Sequence, residues 1–222
     1  MLTIKTLVVN QLQENCYIVS DGTQDAVIID CGAYYDAERK AVVNYIRENG
    51  LTLRHLLCTH GHFDHVFGAD TIFDEFAIAP EIHSADRDFV EDMDRQYRDM
   101  LGKPYSRPSV KVSRLLADGD TITFGTHTLK VIHTPGHSQG CVVFYCAEED
   151  VAFTGDTLFR MSFGRTDLPG GSWEKLKASL QRLTSLIPPQ TVLYPGHGPV
   201  TTMAAEQTFI ATITASPLGG GW

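Results

Sequence analysis

The sequence predicts a layered α/β sandwich, and three observations carry that expectation. Short apolar or alternating runs bounded by turn residues recur along the whole chain. Only a few helical segments are interleaved among them, so the order is not a strict strand–helix–strand alternation. Hydrophobic residues make up 43% of the 222 residues against 20% charged, which is enough apolar mass for a substantial core.

Taken in order, residues 2–9 alternate, and NCYIVS (15–20) and AVIIDC (26–31) are short apolar runs, so the chain opens with strands. A helix is expected over 35–48, where Ala41, Val42, Tyr45 and Ile46 are spaced for one face and Gly50 stops it. Residues 53–59 read as a buried strand and 65–75 as a second helix. A strongly charged third helix is expected over 84–101, ended by GKPYSRPS. Strands follow near 121–125, 128–133, 141–146 and 151–154, then a helix over about 173–186 closed by Pro188 and Pro189. A strand at 191–194 and a short helix near 202–211 come last, and SPLGGGW reads as a frayed end. Gly170 and Gly171 mark a loop rather than a boundary, so 1–222 is read as one domain.

Composition excludes several classes of partner. The formal net charge is −9 with no run of lysines or arginines, so the basic footprint of a nucleic-acid binder is missing. MLTIKTLVVN lacks the charged start and long apolar core of a secretory signal. No apolar stretch approaches the roughly 20 residues that a membrane helix needs. A soluble, cytoplasmic protein is therefore expected. Cys16, Cys31, Cys58, Cys141 and Cys146 are odd in number and lack C-x-x-C spacing, and each lies in or beside an apolar run. They read as buried, reduced thiols without chemistry.

The chemistry is concentrated in HLLCTHGHFDHVFGAD, which places His60, His62, Asp64 and His65 within six residues. An H-x-H-x-D-H pattern should arise by accident in on the order of one such chain in a thousand. His60 and His62, two apart, can point to one side of an extended segment. Asp64 and His65 begin the next helix and approach from a second direction, which suits two neighbouring metal ions better than one. Three further candidates sit in turns after apolar runs: His137 in VIHTPGHSQG, Asp156 in VAFTGDT and His197 in TVLYPGHGPV. Alone, each would read as a hydrogen-bonding turn residue. Once the loop histidines need further ligands, strand-end turns held by a rigid sheet become the economical source. His55, His83, His127 and His133 show no such pattern and read as structural.

The motifs T-H-G-H-F-D-H (59–65), T-P-G-H (134–137), T-G-D-T (154–157) and P-G-H-G (195–198) together resemble the metallo-β-lactamase superfamily over nearly the whole chain. The resemblance implies a four-layer αββα sandwich with its metals at one edge. It assigns one metal to His60, His62 and His137, and the second to Asp64, His65 and His197, with Asp156 bridging. Asp30, in V-I-I-D-C-G, matches the aspartate that buttresses the histidine loop without binding metal, and turn initiation is its alternative role. The implied cofactors are two divalent ions, zinc first, with iron or manganese as alternatives.

Within the superfamily the chain looks most like the short bacterial branch of the glyoxalase II group, thioesterases that hydrolyse S-acyl-glutathione; that branch shares G-D-T-L-F and G-R-T-D (155–159 and 164–167). His65 is intact where β-lactamases usually differ, and His62 stands where flavodiiron proteins usually carry glutamate. The C-terminal helical domain of the larger glyoxalase II enzymes is not expected here, since only 25 residues follow His197 in this sequence. Arg165 falls where those enzymes place a substrate-binding lysine; it is a candidate for gripping a carboxylate, or equally for an ion pair with Asp167. The implied reaction uses a water whose pKa falls from about 15.7 towards 7 between two cations, giving hydroxide for attack on a thioester carbonyl. Asp64 is the candidate catalytic residue that orients it. The expected partner is a small-molecule thioester, with the oligomeric state left open. Alternatives are a persulfide dioxygenase using one iron on His60, His137 and Asp156, a lactone hydrolase, and a non-enzymatic metal-binding module, which loss of a ligand would have favoured. The helix at 84–101 and its following loop read first as a solvated helix and connector, with Tyr97, Lys103, Tyr105 and Arg107 as alternative pocket-wall residues.

Overall fold

The computed structural model describes residues 1–215, so the SPLGGGW tail at 216–222 lies outside the described residues. Two six-stranded sheets stack face to face. The first contains β1 (Thr3–Val9), β2 (Glu14–Ser20), β3 (Asp25–Ile29), β4 (Thr52–Leu57), β5 (Pro80–His83) and β6 (Arg114–Leu116), side by side in chain order. The second contains β7 (Thr121–Phe124), β8 (His127–His133), β9 (Val142–Cys146), β10 (Val151–Gly155), β11 (Val192–Pro195) and β12 (Thr201–Thr202), again with sequence neighbours adjacent. Helices α1 (Asp36–Glu48), α2 (Phe63–Val66) and α3 (Ala69–Phe76) follow strands of the first sheet. A 3-10 turn (Ser84–Asp86) leads into α4 (Arg87–Glu91) and α5 (Met93–Leu101), and α6 (Trp173–Leu186) and α7 (Met203–Ala215) belong to the second half. None of the described helices is long and apolar enough to cross a membrane.

The strands read as continuous apolar runs because both faces of each sheet are covered. Tyr17, Val19, Val27 and Ile29 point inward against Val131, Val142, Phe144 and Phe153 of the other sheet. The residues between them in sequence point outward. Cys16, Ile18 and Ile28 pack on Val42 and Ile46 of α1 and Ile72 of α3. Ile132, Val143 and Ala152 pack on Leu176, Leu180 and Leu183 of α6 and Ile210 of α7. Period-2 side-chain alternation thus gives three apolar interfaces and four layers, α/β/β/α.

Several local expectations need correction. The helix expected over 65–75 is two pieces, α2 and α3, because Gly68 turns its N–H to the Cys31 carbonyl and caps the second piece. The helix expected over 84–101 breaks at Asp92, whose extended φ of −134° and side-chain bond to the Arg95 N–H restart it as α5. β5, β6 and β12 were not expected. Each has only two to four residues, and β5 begins at a proline, so none carries the run length that signals a strand.

Connectivity aims the site. β3, β4, β5 and β6 are mutually parallel, as are β10 and β11, while β9 runs antiparallel to both β8 and β10. The carboxyl ends of β3 and β4 therefore share one edge of the first sheet, and those of β8, β10 and β11 share one edge of the second. Crevices at the carboxyl ends of parallel strands are where open α/β sheets bind ligands.

Candidate metal centre

Each candidate ligand follows one of these carboxyl ends: Asp30 after β3, His60 to His65 after β4, His137 after β8, Asp156 after β10 and His197 after β11. The sequence brings all of them into one buried cluster. Ligand atoms of His60, His62 and His137 lie within 4.8 Å of one another, and so do those of Asp64, His65 and His197. His62 Nδ1 stands 2.8 Å from His137 Nε2, and His65 Nε2 stands 3.2 Å from His197 Nε2. Two nitrogens on a tetrahedral zinc at 2.0–2.1 Å would be about 3.3 Å apart, so these spacings are close to those of ligands sharing an ion. Asp156 sits between the two sets. Its Oδ1 is 3.3 Å from His65 Nε2, and its Oδ2 is 3.5 Å from His137 Nε2 and 3.7 Å from His197 Nε2.

The donor chemistry fits cations. His60 Nε2 and Asp156 Oδ1 are buried without a hydrogen-bond partner among the described residues. Buried polar atoms are almost always satisfied, so orphans aimed into a cluster of imidazoles call for an electrophilic partner. The outward nitrogens are tied down instead. His137 Nδ1 donates to the Arg165 carbonyl at 2.8 Å, His197 Nδ1 to the Leu12 carbonyl at 2.9 Å, and His65 Nδ1 to Asp30 Oδ2 at 2.9 Å. Each bond fixes the tautomer that leaves Nε2 bare for a metal. His62 is reversed and offers Nδ1. A third cluster, Asp30 with His60 and His65, is geometrically compact. Its aspartate is already committed, since Asp30 accepts from the Thr59 N–H, the Thr59 hydroxyl and His65. These three bonds suit Asp30 to an orienting place beside His65, and its left-handed backbone (φ 54°) is one that aspartate tolerates.

Charge is distributed to match. Burial holds the pKa of His60 well below the usual histidine range and that of His62 at about 3, with neighbouring imidazoles adding to the effect. Both stay neutral, as a metal ligand must. Burial also opposes charge on His65, but Asp156, Asp64 and Asp30 outweigh it and lift its pKa well up, so its Nε2 would release a proton on taking a cation. Burial would raise Asp156 and Asp64, yet His65 first and the other histidines after it hold both carboxyls down and ionised.

Residues 9–197 match the metallo-beta-lactamase superfamily. The chain belongs to that superfamily. Among its relatives is "Hydroxyacylglutathione hydrolase GloC" of Haemophilus influenzae, 33% identical over 211 residues that cover 93% of this chain and 95% of that one. Among solved structures, the BLEG-1 B3 metallo-beta-lactamase aligns with TM-score 0.84 at 35% identity, covering 93% and 97% of the two chains. TTHA1623 in a di-iron-bound form aligns with TM-score 0.78 at 39% identity, covering 91% and 96%. As a metallo-beta-lactamase-type metallohydrolase, the chain carries the His/Asp clusters that hold divalent ions in this fold.

Around the superfamily motifs lie supports that sequence reading missed. Asp86, in the turn before α4, is buried and accepts from the Gly61 N–H (3.1 Å), the Ser138 hydroxyl (2.5 Å) and the Gly140 N–H (2.8 Å). It thereby joins the loop of His60 and His62 to the loop of His137. A Cβ on Gly140 would come within 2.6 Å of the Asp86 carboxyl carbon, so glycine is required there by close approach. Asn15 of β2 donates to the carbonyls of Pro195 and Gly198, pinning the turn that presents His197. Asn10 donates to the carbonyls of Gly32 and Asp64. No local pattern distinguishes these residues from ordinary turn asparagines and a helix-start aspartate. Arg165 forms a two-pronged, exposed ion pair with Asp167 at 2.7 Å, and only its carbonyl touches the cluster, through His137.

Proposed function

We propose that this metallohydrolase is a dinuclear thioesterase acting on S-acyl-glutathione or a closely related acyl thiol. The observation that supports the reading is the pair of three-residue His/Asp clusters with Asp156 lying between them. On this reading His60, His62 and His137 would hold one ion, Asp64, His65 and His197 would hold the other, and Asp156 would serve both. Two bound divalent ions, zinc first, would supply Lewis acidity and a water with a pKa near 7. Asp64, ionised and facing His197 at 3.3 Å, would accept a hydrogen bond from the attacking water and aim it. Asp30 holds His65 in register during attack. The leaving thiolate has a conjugate acid near pKa 8.5, so no strong general acid is needed beside the site. Arg165 is a substrate-facing candidate only if substrate displaces Asp167; as an exposed pair the two contribute little to stability.

The name of the Haemophilus influenzae relative supports this substrate class, and the di-iron form of TTHA1623 makes iron a second candidate for the native metal. Metal analysis followed by turnover of S-lactoylglutathione tests the proposal. Two ions per chain with chelator-sensitive hydrolysis are expected. His60→Ala should lower bound metal and cut turnover by at least about 100-fold. Full activity in that variant would mean that the centre has been misassigned. One ferrous ion per chain with oxygen uptake would replace the hydrolase by a dioxygenase.

A further inference from the structure

We propose that the acyl group of the substrate is apolar, about the size of a phenyl ring or a six-carbon chain, and that it is bound in a slot between the β1–β2 turn and α5. The inference rests on the thioesterase reading and names its substrate class. The slot has a volume of ≈ 140 Å³ and is walled by Leu12, Tyr34, Phe63, Phe67, Tyr97 and Leu101, with the Asn10 and Gln11 amides completing its lining at the β1–β2 turn. An apolar cavity of about 150 Å³ accepts benzene, so one ring or a short chain is the right filling.

Its place in the fold ties it to the metal centre. Phe63 lies between His62 and Asp64 in sequence, the Leu12 carbonyl receives His197 Nδ1–H at 2.9 Å, and Asn10 on the slot wall donates to the Asp64 carbonyl at 2.9 Å. Three wall residues are thus anchored to the chain that presents the ligands.

The walls also define what is accepted. No charged side chain lines the slot among the described residues. Phe63 packs on Phe67 (5.2 Å) and Tyr97 (5.7 Å), and Tyr34 on Phe67 (4.8 Å), so the rings form a mutually braced wall. Leu12 and Leu101 at the slot are 53% and 48% exposed, and covering them removes apolar surface from water. Beyond Tyr97 and Leu101 the slot opens into a wider cleft of ≈ 730 Å³, where Lys103, Ser106 and Arg107 bring polar and charged groups. A long fatty chain would have to leave the apolar walls, so the preference should stop near six carbons. These contacts also correct the expectation that the 84–101 segment and its loop are a solvated helix and plain connector.

The test is kcat/KM of the metal-loaded full chain on N-acetylcysteamine thioesters of acetate, butyrate, hexanoate, phenylacetate and dodecanoate. The expected result is a rise of about fourfold per methylene up to hexanoyl, roughly 250-fold over acetyl. Phenylacetyl should be comparable to hexanoyl, with no further gain for dodecanoyl. Leu101→Asp, at an exposed position that tolerates charge, should lower the hexanoyl-to-acetyl ratio about tenfold. A flat acyl series on an enzyme that does cleave these thioesters overturns the slot while leaving the thioesterase reading in place. So does a Leu101→Asp effect that is equal for both acyl groups, or one that follows the thiol carrier when glutathione replaces N-acetylcysteamine. Failure to cleave any of them, or S-lactoylglutathione, with two ions bound overturns the thioesterase reading itself.

Discussion

Asp86 touches no candidate ligand, yet three of its hydrogen bonds end on backbone or side chain next to His60, His62 and His137. Burial, opposed by those bonds, raises its carboxyl above the usual range, so its anion is held at a cost and depends on all three donors. Removing it frees both loops at once. Asp86→Ala should weaken metal retention about 10- to 100-fold, as loss of supporting bonds around ligands generally does. Chelator competition would measure this, and metal loss with unchanged thermal stability would separate positioning from general damage. Retention equal to the parent would refute the clamp. The contrast with His60 shows what a sequence discloses. Four candidate ligands in six residues announce themselves because their spacing alone implies convergence, whereas Asp86 acquires meaning only from Ser138 and Gly140, 52 and 54 positions away.

Among elements, the strands were legible and the helix ends were not. Fully covered sheets produce unbroken apolar runs that survive without context, such as NCYIVS and AVIID. Helix breaks at Gly68 and Asp92 depend on tertiary bonds to the Cys31 carbonyl and on a local cap, which a periodicity count smooths over. The joint between α2 and α3 matters because α2 carries Asp64 and His65. Arg39 of α1 holds it: buried, it donates to the carbonyls of Tyr34 and Phe67 and pairs with Asp70, while Thr71 accepts a further bond. Arg39→Ala strips this donor from all four groups in the interior, with only Arg107 still on Asp70 and the Tyr105 hydroxyl still on the Phe67 carbonyl. A loss of about 3–5 kcal/mol is expected, read by denaturant unfolding of the metal-loaded chain. A loss below about 1 kcal/mol would mean that water or Arg107 substitutes freely.

At the scale of the whole molecule, the two edges of the sandwich have different duties. The carboxyl ends of β3, β4, β8, β10 and β11 carry the candidate metal centre, and the opposite edge carries an ionic seam. There His127, at the start of β8, bonds Asp21 of the β2–β3 turn at 3.0 Å and Glu149 of the β9–β10 turn at 2.9 Å, while the Met1 amine also pairs with Glu149 at 2.9 Å. His127 had read as a structural histidine beside a turn, since neither carboxylate is near it in sequence. Burial opposes its charge, but Glu149 and Asp21 outweigh burial and raise its pKa. Burial likewise opposes the Asp21 anion, yet bonds from Thr126, Thr23 and His127 pull its pKa down. The signs then define a window. A raised histidine contributes fully below its unfolded value near 6.5 and loses that contribution as pH climbs through the folded value. A depressed aspartate contributes above about 3.9 and loses its share as pH falls through its folded value. The seam should therefore be strongest between about pH 4.5 and 6.5. His127→Ala should lower Tm by about 4–8 °C at pH 6, and the gap to the parent should shrink by half or more at pH 9. Reading each variant against the parent at the same pH cancels any metal released from the far edge. A gap that stays constant from pH 6 to 9 would show that His127 packs there uncharged, as an aromatic beside Phe124, and that the seam's charge is carried by the Met1 amine and the carboxylates alone.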